Sequence, residues 1–171
     1  MSEILPNKLY LGSFDNALDE QWLQTKNIQT IITIMAGPIE YVDAIASLAN
    51  KKNIQHHIFA IDDFETTNIM NDDVLFAIFE IMQSNETPTL VHCLMGVSRS
   101  ATVVLAYLMA TQHLYLDDAT KIVLKSRNFI HPNDGFIKQL IAFEKQTMGQ
   151  MTYLPNKEGI QKYKQLLHSC P

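Results

Sequence analysis

A cysteine and an arginine six residues apart are the residues of this sequence best suited to chemistry. Cys93 and Arg99 lie in residues 91–100, which read VHCLMGVSRS. A thiolate is a strong nucleophile, and a guanidinium pairs its planar N–H fork with two oxygens of a phosphate group. Transfer of a phosphoryl group to sulfur requires both, together with donors for the other phosphate oxygens. The spacing therefore predicts a site that binds phosphate and attacks phosphorus.

The same segment has the form of a turn from a strand into a helix. It follows a β-like apolar run and precedes a long apolar helical pattern. A helix N-terminus offers unpaired N–H groups and a positive dipole end, which favour a bound anion and an ionised thiol. Gly96 permits the tight backbone that this requires. The predicted phosphate-binding loop consists of Leu94, Met95, Gly96, Val97, Ser98 and Arg99.

The alternative is a structural cysteine, because a lone cysteine before an apolar helix is usually a small buried hydrophobe. Here His92 precedes Cys93, and a glycine, an arginine and Ser100 follow it at three, six and seven residues. From average residue usage, this combination arises by chance in such a chain on the order of once in ten thousand or less. We therefore favour the chemical role of Cys93.

The elements that must position this loop alternate as in an α/β domain. Strands are predicted over residues 28–35, 54–61 and 89–92, with residues 9–11 as an edge strand. Helices are predicted over residues 15–25, 97–112 and 156–168, and after Pro38, Asn71, Asp117 and Asn133 or Asp134. The segment over residues 156–168 is predicted to be a short polar helix at the C-terminus.

Composition limits the partners. The chain has 171 residues, which suit one domain, and 13 Lys and Arg against 18 Asp and Glu give a net charge of −5. No basic block is present, so we expect no binding of nucleic acid or membrane, and no apolar run approaches the ~20 residues of a span. Two cysteines, Cys93 and Cys170, form neither a disulfide framework nor a zinc motif. With no signal peptide at the start, we expect a cytoplasmic protein with access to the nucleus. We expect no metal and no cofactor, and the oligomeric state stays open.

Residues 92–100, with Ala101, Thr102 and residues 107–109 after them, closely resemble the signature of dual-specificity phosphatases of the protein tyrosine phosphatase superfamily. The resemblance covers about residues 5–145. It implies a central, mostly parallel sheet of four to five strands flanked by helices. We expect a catalytic domain over residues 1–148 and a C-terminal extension over residues 149–171 that contains a short helix.

The resemblance also implies roles by residue. Cys93 attacks phosphorus and forms a cysteinyl-phosphate, while Arg99 and the loop N–H groups hold the phosphate oxygens. The Ser100 hydroxyl steadies the departing thiolate, and His92 supports the loop by hydrogen bonding. Asn133 matches a position that braces the loop from outside, although it is equally well explained as a helix N-cap.

The general acid must come from another segment. In the family a strand ends in an aspartate about thirty residues before the cysteine, and Asp62 lies 31 residues before Cys93. Its neighbour Asp63 is the alternative, since adjacent side chains on an extended segment point to opposite sides. Taken alone, such an aspartate pair is most often a solvated turn. We favour Asp62 as the acid.

The substrate predicted by the resemblance is a phosphorylated protein. Leu94, Met95 and Val97 carry no charge, which favours a monophosphate ester over a phosphoinositide, and no phosphotyrosine-clamping motif is visible. Phosphoserine and phosphothreonine are therefore expected alongside phosphotyrosine. The alternatives are a catalytically silent phosphate-binding adaptor and a phosphatase of RNA 5′-phosphates, phosphoinositides or phosphoglucans.

Since nothing precedes the catalytic domain, we expect no separate kinase-docking domain. A reactive thiolate is also prone to oxidation. The only other cysteine is Cys170 at the far terminus, and we do not expect it to reach Cys93.

Overall fold

A five-stranded, mostly parallel sheet forms the centre of the computed structural model, which describes residues 1–84 and 87–169. The strands are β1 (Ser2–Leu5), β2 (Leu9–Gly12), β3 (Thr30–Ile34), β4 (Gln55–Phe59) and β5 (Thr89–His92). Their order across the sheet is β1-β2-β5-β3-β4, and only the β1–β2 pair is antiparallel. The predicted α/β fold is confirmed.

One strand prediction was wrong in its position. Residues 9–11 do form a strand, but β2 lies inside the sheet and pairs with β1 on one side and β5 on the other. The edge strand on this side of the sheet is instead β1, which sequence reasoning did not assign. All four residues of β2 are buried, as expected for a strand with neighbours on both sides.

Eight helices surround the sheet in the described part of the chain. They are α1 (Phe14–Leu18), α2 (Glu20–Thr25), α3 (Ile39–Lys52), α4 (Asp72–Ser84), α5 (Arg99–Gln112), α6 (Leu116–Ser126), α7 (Asp134–Met148) and α8 (Lys157–Ser169). The single helix predicted over residues 15–25 is divided at Asp19, whose carboxylate caps α2 by accepting from the Trp22 N–H at 3.0 Å. The other helices begin within two residues of their predicted starts.

The two faces of the sheet carry separate apolar layers, because successive strand residues point to opposite sides. Ile32 and Val91 face a large core shared with α4–α8, whereas Ile31 and Leu90 face a smaller core shared with α1–α3. Helix α5 is buried continuously from Arg99 to Met109. The central strand β5 and the central helix α5 therefore hold both ends of the predicted loop rigidly.

The position of the loop follows from the parallel pairing. Strands β2, β5 and β3 run in the same direction, so their carboxyl ends meet at one edge of the sheet. In open α/β sheets, ligands bind beyond the carboxyl ends of the strands. The loop after His92 lies at this edge, close to the segment that follows Gly12.

The C-terminal segment packs on the other helices. Tyr163 of α8 is fully buried, and its hydroxyl is hydrogen-bonded to Thr120 of α6 at 2.8 Å. The buried Glu144 of α7 accepts from the Leu116 N–H at 2.7 Å and from the Thr152 N–H at 2.6 Å. The predicted polar terminal helix thus has an apolar buried face, although the division of the chain at residue 148 stays a prediction.

Helices able to span a bilayer, judged by length and apolar character, do not occur in residues 1–84 and 87–169.

Candidate active site

Cys93 lies on the floor of the loop between β5 and α5. Its sulfur accepts two hydrogen bonds at 3.2 Å, one from the Gly96 N–H and one from the Ser100 hydroxyl. The side chain is only 1% exposed, so these two donors are its immediate polar surroundings. Donors that converge on a sulfur stabilise its ionised form more than its protonated form.

The carbonyl groups of the loop are turned outward and held by other parts of the fold. Four of its oxygens have partners outside residues 93–98. The contacts are Cys93 O with His92 Nδ1 at 3.2 Å, Leu94 O with Phe14 N at 3.0 Å, Met95 O with Arg127 Nη2 at 3.1 Å, and Val97 O with His131 N at 2.7 Å. The partners come from β5, from α1, and from the residues between α6 and α7.

The N–H groups of the loop point the other way, because each peptide unit is planar and trans. Within residues 1–84 and 87–169, those of Leu94, Met95, Val97 and Ser98 donate to no protein acceptor. They adjoin the N-terminus of α5, where helical N–H groups are also unpaired. This set of converging donors suits a tetrahedral oxyanion.

Gly96 is required by the close approach of two loops. Its φ of +71° lies in the left-handed region that favours glycine. A Cβ at this position would lie 2.3 Å from the Gly12 carbonyl oxygen and 2.8 Å from Arg127 Nη2. Any larger residue would therefore displace the loop from its support.

Arg99 is anchored beside the loop and is only 7% exposed. Its Nη1 donates to the Ile61 carbonyl oxygen at 3.1 Å, just beyond β4. Its buried Nε lies 3.5 Å from Asp63 Oδ2 without forming a hydrogen bond. The guanidinium is thus held by its edge, and it keeps hydrogen-bonding capacity for an anion.

Asp63, and not Asp62, is the carboxylate that the structure brings to the loop. Asp63 Oδ1 accepts from Ser98 Oγ at 2.7 Å and from Asn133 Nδ2 at 2.9 Å. Asp62 is exposed, and within the described residues its side chain forms no hydrogen bond or ion pair. The count of 31 residues on which we favoured Asp62 gives a distance along the chain, but it does not say which side of the segment faces the loop.

Asn133 caps α7 and contacts one of the two aspartates. Its Oδ1 accepts from the Phe136 N–H at 2.9 Å, as the N-cap alternative predicts. Its Nδ2 donates to Asp63 Oδ1 at the same time. The predicted bracing of the loop by Asn133 stays a prediction, and the contact with Asp63 is the route by which it would act.

His92 supports the loop from within the sheet. It is fully buried, its Nδ1 lies 3.2 Å from the Cys93 carbonyl oxygen, and its Nε2 lies 2.7 Å from the Thr33 hydroxyl. Burial lowers the pKa of His92 from 6.5 to about 4, with a smaller lowering from His56. The ring is therefore neutral near pH 7, which fits structural support better than proton transfer.

Sequence reasoning did not assign loop-holding roles to Phe14, Arg127 and His131. Phe14 and His131 act through backbone N–H groups, which any residue except proline supplies, so no side-chain type signals them. Burial lowers the pKa of Arg127, and the nearby Cys93 opposes this effect. An arginine 34 residues after the cysteine is a weak signal without the fold.

The rim of the loop is apolar and exposed. Met95 is 67% exposed and Phe64, next to Asp63, is 63% exposed, while Leu94 and Phe129 are exposed to a lesser degree.

No group of three or more His, Cys, Asp or Glu side chains in residues 1–84 and 87–169 could hold a metal ion. Cys170, the only other cysteine of the sequence, lies outside the described residues.

Similarity to known proteins extends over most of the chain. The family model described as "Dual specificity phosphatase, catalytic domain" matches residues 9–146. The chain belongs to the dual specificity phosphatase family. The matched region contains the whole loop, both aspartates and Asn133.

Members of this family and related solved structures have the same architecture. The MAP kinase phosphatase with leucine-rich repeats protein 1 of Dictyostelium discoideum is 34% identical over 143 residues, covering 84% of this chain but only 16% of that protein. The crystal structure of the human tyrosine phosphatase-like serine/threonine/tyrosine-interacting protein has a TM-score of 0.70 at 29% identity and covers 85% of this chain and 96% of that one. The crystal structure of DUSP15 has a TM-score of 0.71 at 26% identity, with 99% and 96% covered. The chain thus spans less than a fifth of the length of this curated Dictyostelium relative.

We predict that Gly96→Ala destroys the anion site, whereas Gly149→Ala does not. Both glycines have positive φ, but a Cβ at Gly149 would meet nothing within 4 Å. Gly149→Ala should lower the free energy of unfolding by about 1 kcal/mol and leave the affinity for inorganic phosphate unchanged. Gly96→Ala should lower that affinity roughly tenfold or more, because the loop donors are displaced. Calorimetric titration with phosphate measures the affinity of each variant. Equal affinities in the two variants would contradict the role of Gly96.

We also predict that acid destabilises the fold through His92. The unfolded chain binds a proton at this histidine near pH 6.5 and the folded chain only near pH 4, so acidification between these values favours unfolding. The resulting loss is about 2 kcal/mol at pH 5. Urea unfolding of the parent and of His92→Asn at pH 7 and pH 5 should show a smaller loss in the variant. Parallel losses in the two proteins would assign the acid sensitivity to other groups.

Proposed function

We propose that this chain is a cysteine-dependent phosphatase that hydrolyses phosphate monoesters of proteins without a metal or cofactor. The observation that carries the proposal is the loop itself. It has Cys93 on its floor, outward carbonyls, unpaired N–H groups and the Arg99 guanidinium at its side. These parts match the requirements of phosphoryl transfer to sulfur.

In the first step, the Cys93 thiolate attacks phosphorus in line with the departing oxygen. The S–P bond forms while the P–O bond to the substrate breaks, and the loop N–H groups with Arg99 hold the three equatorial oxygens. The departing alkoxide or phenoxide takes a proton from a carboxylic acid. The products of this step are the dephosphorylated hydroxyl group and a cysteinyl-phosphate.

In the second step, water attacks phosphorus and gives a proton to the same carboxylate. The S–P bond breaks, inorganic phosphate leaves, and the sulfur departs as a thiolate. The Ser100 hydroxyl, 3.2 Å from the sulfur, donates to it in the resting state and is suited to stabilise the charge that returns. Its role is therefore to make the sulfur a better leaving group.

We propose Asp63 as the acid in place of Asp62. Its carboxylate reaches Ser98 at the start of α5 and lies near Arg99, which would clamp the same phosphate. Substrate phosphate would compete with Asp63 for the Arg99 cation. That competition would leave the Asp63 carboxyl group free to face the departing oxygen.

We propose that the substrates include phosphotyrosine as well as phosphoserine and phosphothreonine. Met95 in the loop and Phe64 beside Asp63 are exposed apolar side chains that could contact a substrate. The family resemblance implies a cleft shallow enough for all three phosphorylated residues. The lack of charge at Leu94, Met95 and Val97 favours a monophosphate over a polyphosphorylated lipid. Location in the cytoplasm with access to the nucleus stays a prediction from the sequence.

A catalytically silent adaptor is less well supported. A protein that only binds phosphate has no need of a nucleophile, of Ser100 on its sulfur, or of a tethered aspartate. One similar solved structure is that of a human tyrosine phosphatase-like serine/threonine/tyrosine-interacting protein. The first experiment therefore has to exclude the adaptor alternative.

We predict that Cys93→Ser lowers the hydrolysis of p-nitrophenyl phosphate by about 10³-fold or more, because the hydroxyl is not ionised. The variant should bind inorganic phosphate as the parent does, since the loop donors remain. Cys170→Ser is the matched control and should retain full activity. A parent protein that binds a phosphopeptide but hydrolyses neither it nor p-nitrophenyl phosphate would overturn the proposal in favour of an adaptor.

We predict that Asp63→Ala slows phenyl phosphate about 10²-fold or more and p-nitrophenyl phosphate much less, because only the poorer leaving group requires the proton. Asp62→Ala, the matched control on the adjacent residue, should stay within about twofold of the parent for both esters. Steady-state kinetics on the four combinations decide between them. The opposite pattern would return the acid to Asp62.

A further inference from the structure

A chain of side-chain hydrogen bonds crosses the sheet and ends at the nucleophile. His56 Nε2 on β4 lies 2.8 Å from Thr33 Oγ1 on β3, and Thr33 Oγ1 lies 2.7 Å from His92 Nε2 on β5. His92 Nδ1 then lies 3.2 Å from the Cys93 carbonyl oxygen. Thr33 and His92 are also direct neighbours in the register of the β3–β5 pair. We call these three side chains the His56–Thr33–His92 relay.

The carbonyl at one end fixes the direction of the relay. A carbonyl oxygen only accepts, so His92 Nδ1 carries the proton and donates to Cys93. Neutral His92 then accepts at Nε2, which requires the Thr33 hydroxyl to donate to it. The Thr33 oxygen remains free to accept, and His56 supplies the donor through its Nε2–H. His92 and Thr33 each donate one hydrogen bond and accept one, and His56 at the end of the relay only donates.

The surroundings of the relay make it sensitive to the loss of one member. Thr33 and His92 are fully buried, and His56 is half-buried on the edge strand. Hydrogen bonds are stronger in a poorly polar interior, and neighbouring bonds in a chain polarise one another. Burial keeps the pKa of His92 low, so that its Nε2 remains an acceptor near pH 7.

We propose that His56 and Thr33 are positioning residues for the active-site loop, acting through His92 on the Cys93 carbonyl. The proposal rests on the proposed phosphatase function, since it concerns the same loop. If the Cys93 carbonyl turned inward, the following N–H would turn away from the anion, because the peptide unit is planar. The relay therefore helps to aim the first donor of the loop from a residue on the far edge of the sheet.

The relay does not depend on the charge of His56. His56 donates through Nε2, and this donor is present whether or not Nδ1 also carries a proton. What the site requires at position 56 is an N–H that reaches Thr33. A glutamine can supply such a group, whereas a phenylalanine of similar size cannot.

His57 offers a matched control. It is the next residue on β4, it points to the opposite face of the strand, and its Nε2 is buried without a hydrogen-bond partner. It is half-buried like His56. A His57→Phe variant therefore tests the general effect of removing a histidine from this strand.

The experiment compares five variants in a Cys170→Ser background: Thr33→Val, Thr33→Ser, His56→Phe, His56→Gln and His57→Phe. One readout is kcat/KM for p-nitrophenyl phosphate, and the other is the rate of Cys93 alkylation by iodoacetamide as a function of pH. Alkylation reports the thiolate directly and does not require turnover. A chain that fails as a phosphatase but shows the alkylation pattern would thus refute the proposed function and retain the relay.

We expect Thr33→Val to lower kcat/KM by roughly tenfold to a hundredfold, because it leaves the buried His92 Nε2 unpaired. His56→Phe should lower it by roughly threefold to tenfold, since one outer bond is lost. Both should move the midpoint of Cys93 alkylation to higher pH. Thr33→Ser, His56→Gln and His57→Phe should stay within about twofold of the parent.

Coupling between the two positions completes the test. In the double variant Thr33→Val/His56→Phe, the second change should add little, because the relay is already broken. Additive losses, or a His56→Gln as poor as His56→Phe, would overturn the proposal. So would variants that lower only the thermal midpoint and leave the alkylation profile unchanged. If Thr33→Val does not fold, the half-exposed His56 pair still decides the outcome.

Discussion

The outward direction of four backbone oxygens in residues 93–97 is the constraint on which the site depends. Each carbonyl oxygen that points away from the Cys93 sulfur and into the protein needs a hydrogen-bond donor there. A loop of six residues cannot provide these donors by itself. The fold supplies these donors from α1, from β5 and from the segment between α6 and α7. Elements that are distant in sequence thereby converge on residues 93–97, and the N–H groups that remain have one common target.

The site also resolves a conflict of charge. The chain carries a net charge of −5, yet it presents a pocket suited to a dianion. The net negative charge of the chain repels a dianion at long range. The attraction that binds it therefore has to be local, from N–H dipoles and from one guanidinium. A buried cation is costly unless it is paired, and Asp63 with the Ile61 carbonyl provides that pairing at Arg99. The acidic balance of the chain is thus compatible with a local site for an anion.

The sequence contained enough to predict the sheet, most helices and the Cys93 loop, because those depend on periodicity and on rare residue combinations. It did not reveal that β2 is internal, since an additional strand of four residues, β1, has little signal of its own. It favoured Asp62 as the acid, whereas the structure brings Asp63 to the loop, because the direction of each side chain depends on the conformation of one extended segment. The backbone donors of Phe14 and His131 have no side-chain signature, so only the fold could reveal them.

Asp63 links the resting arrangement to the proposed reaction. In the resting state it accepts hydrogen bonds from Ser98 and Asn133 and lies 3.5 Å from the Arg99 Nε. A general acid has to face the departing oxygen of the substrate instead. A substrate phosphate that occupies the loop brings negative charge close to Asp63 and draws Arg99 and the start of α5 toward itself. Binding would thereby weaken the contacts that hold Asp63 in its resting position, so the event that positions phosphorus over Cys93 would also free the proposed acid to face the leaving group.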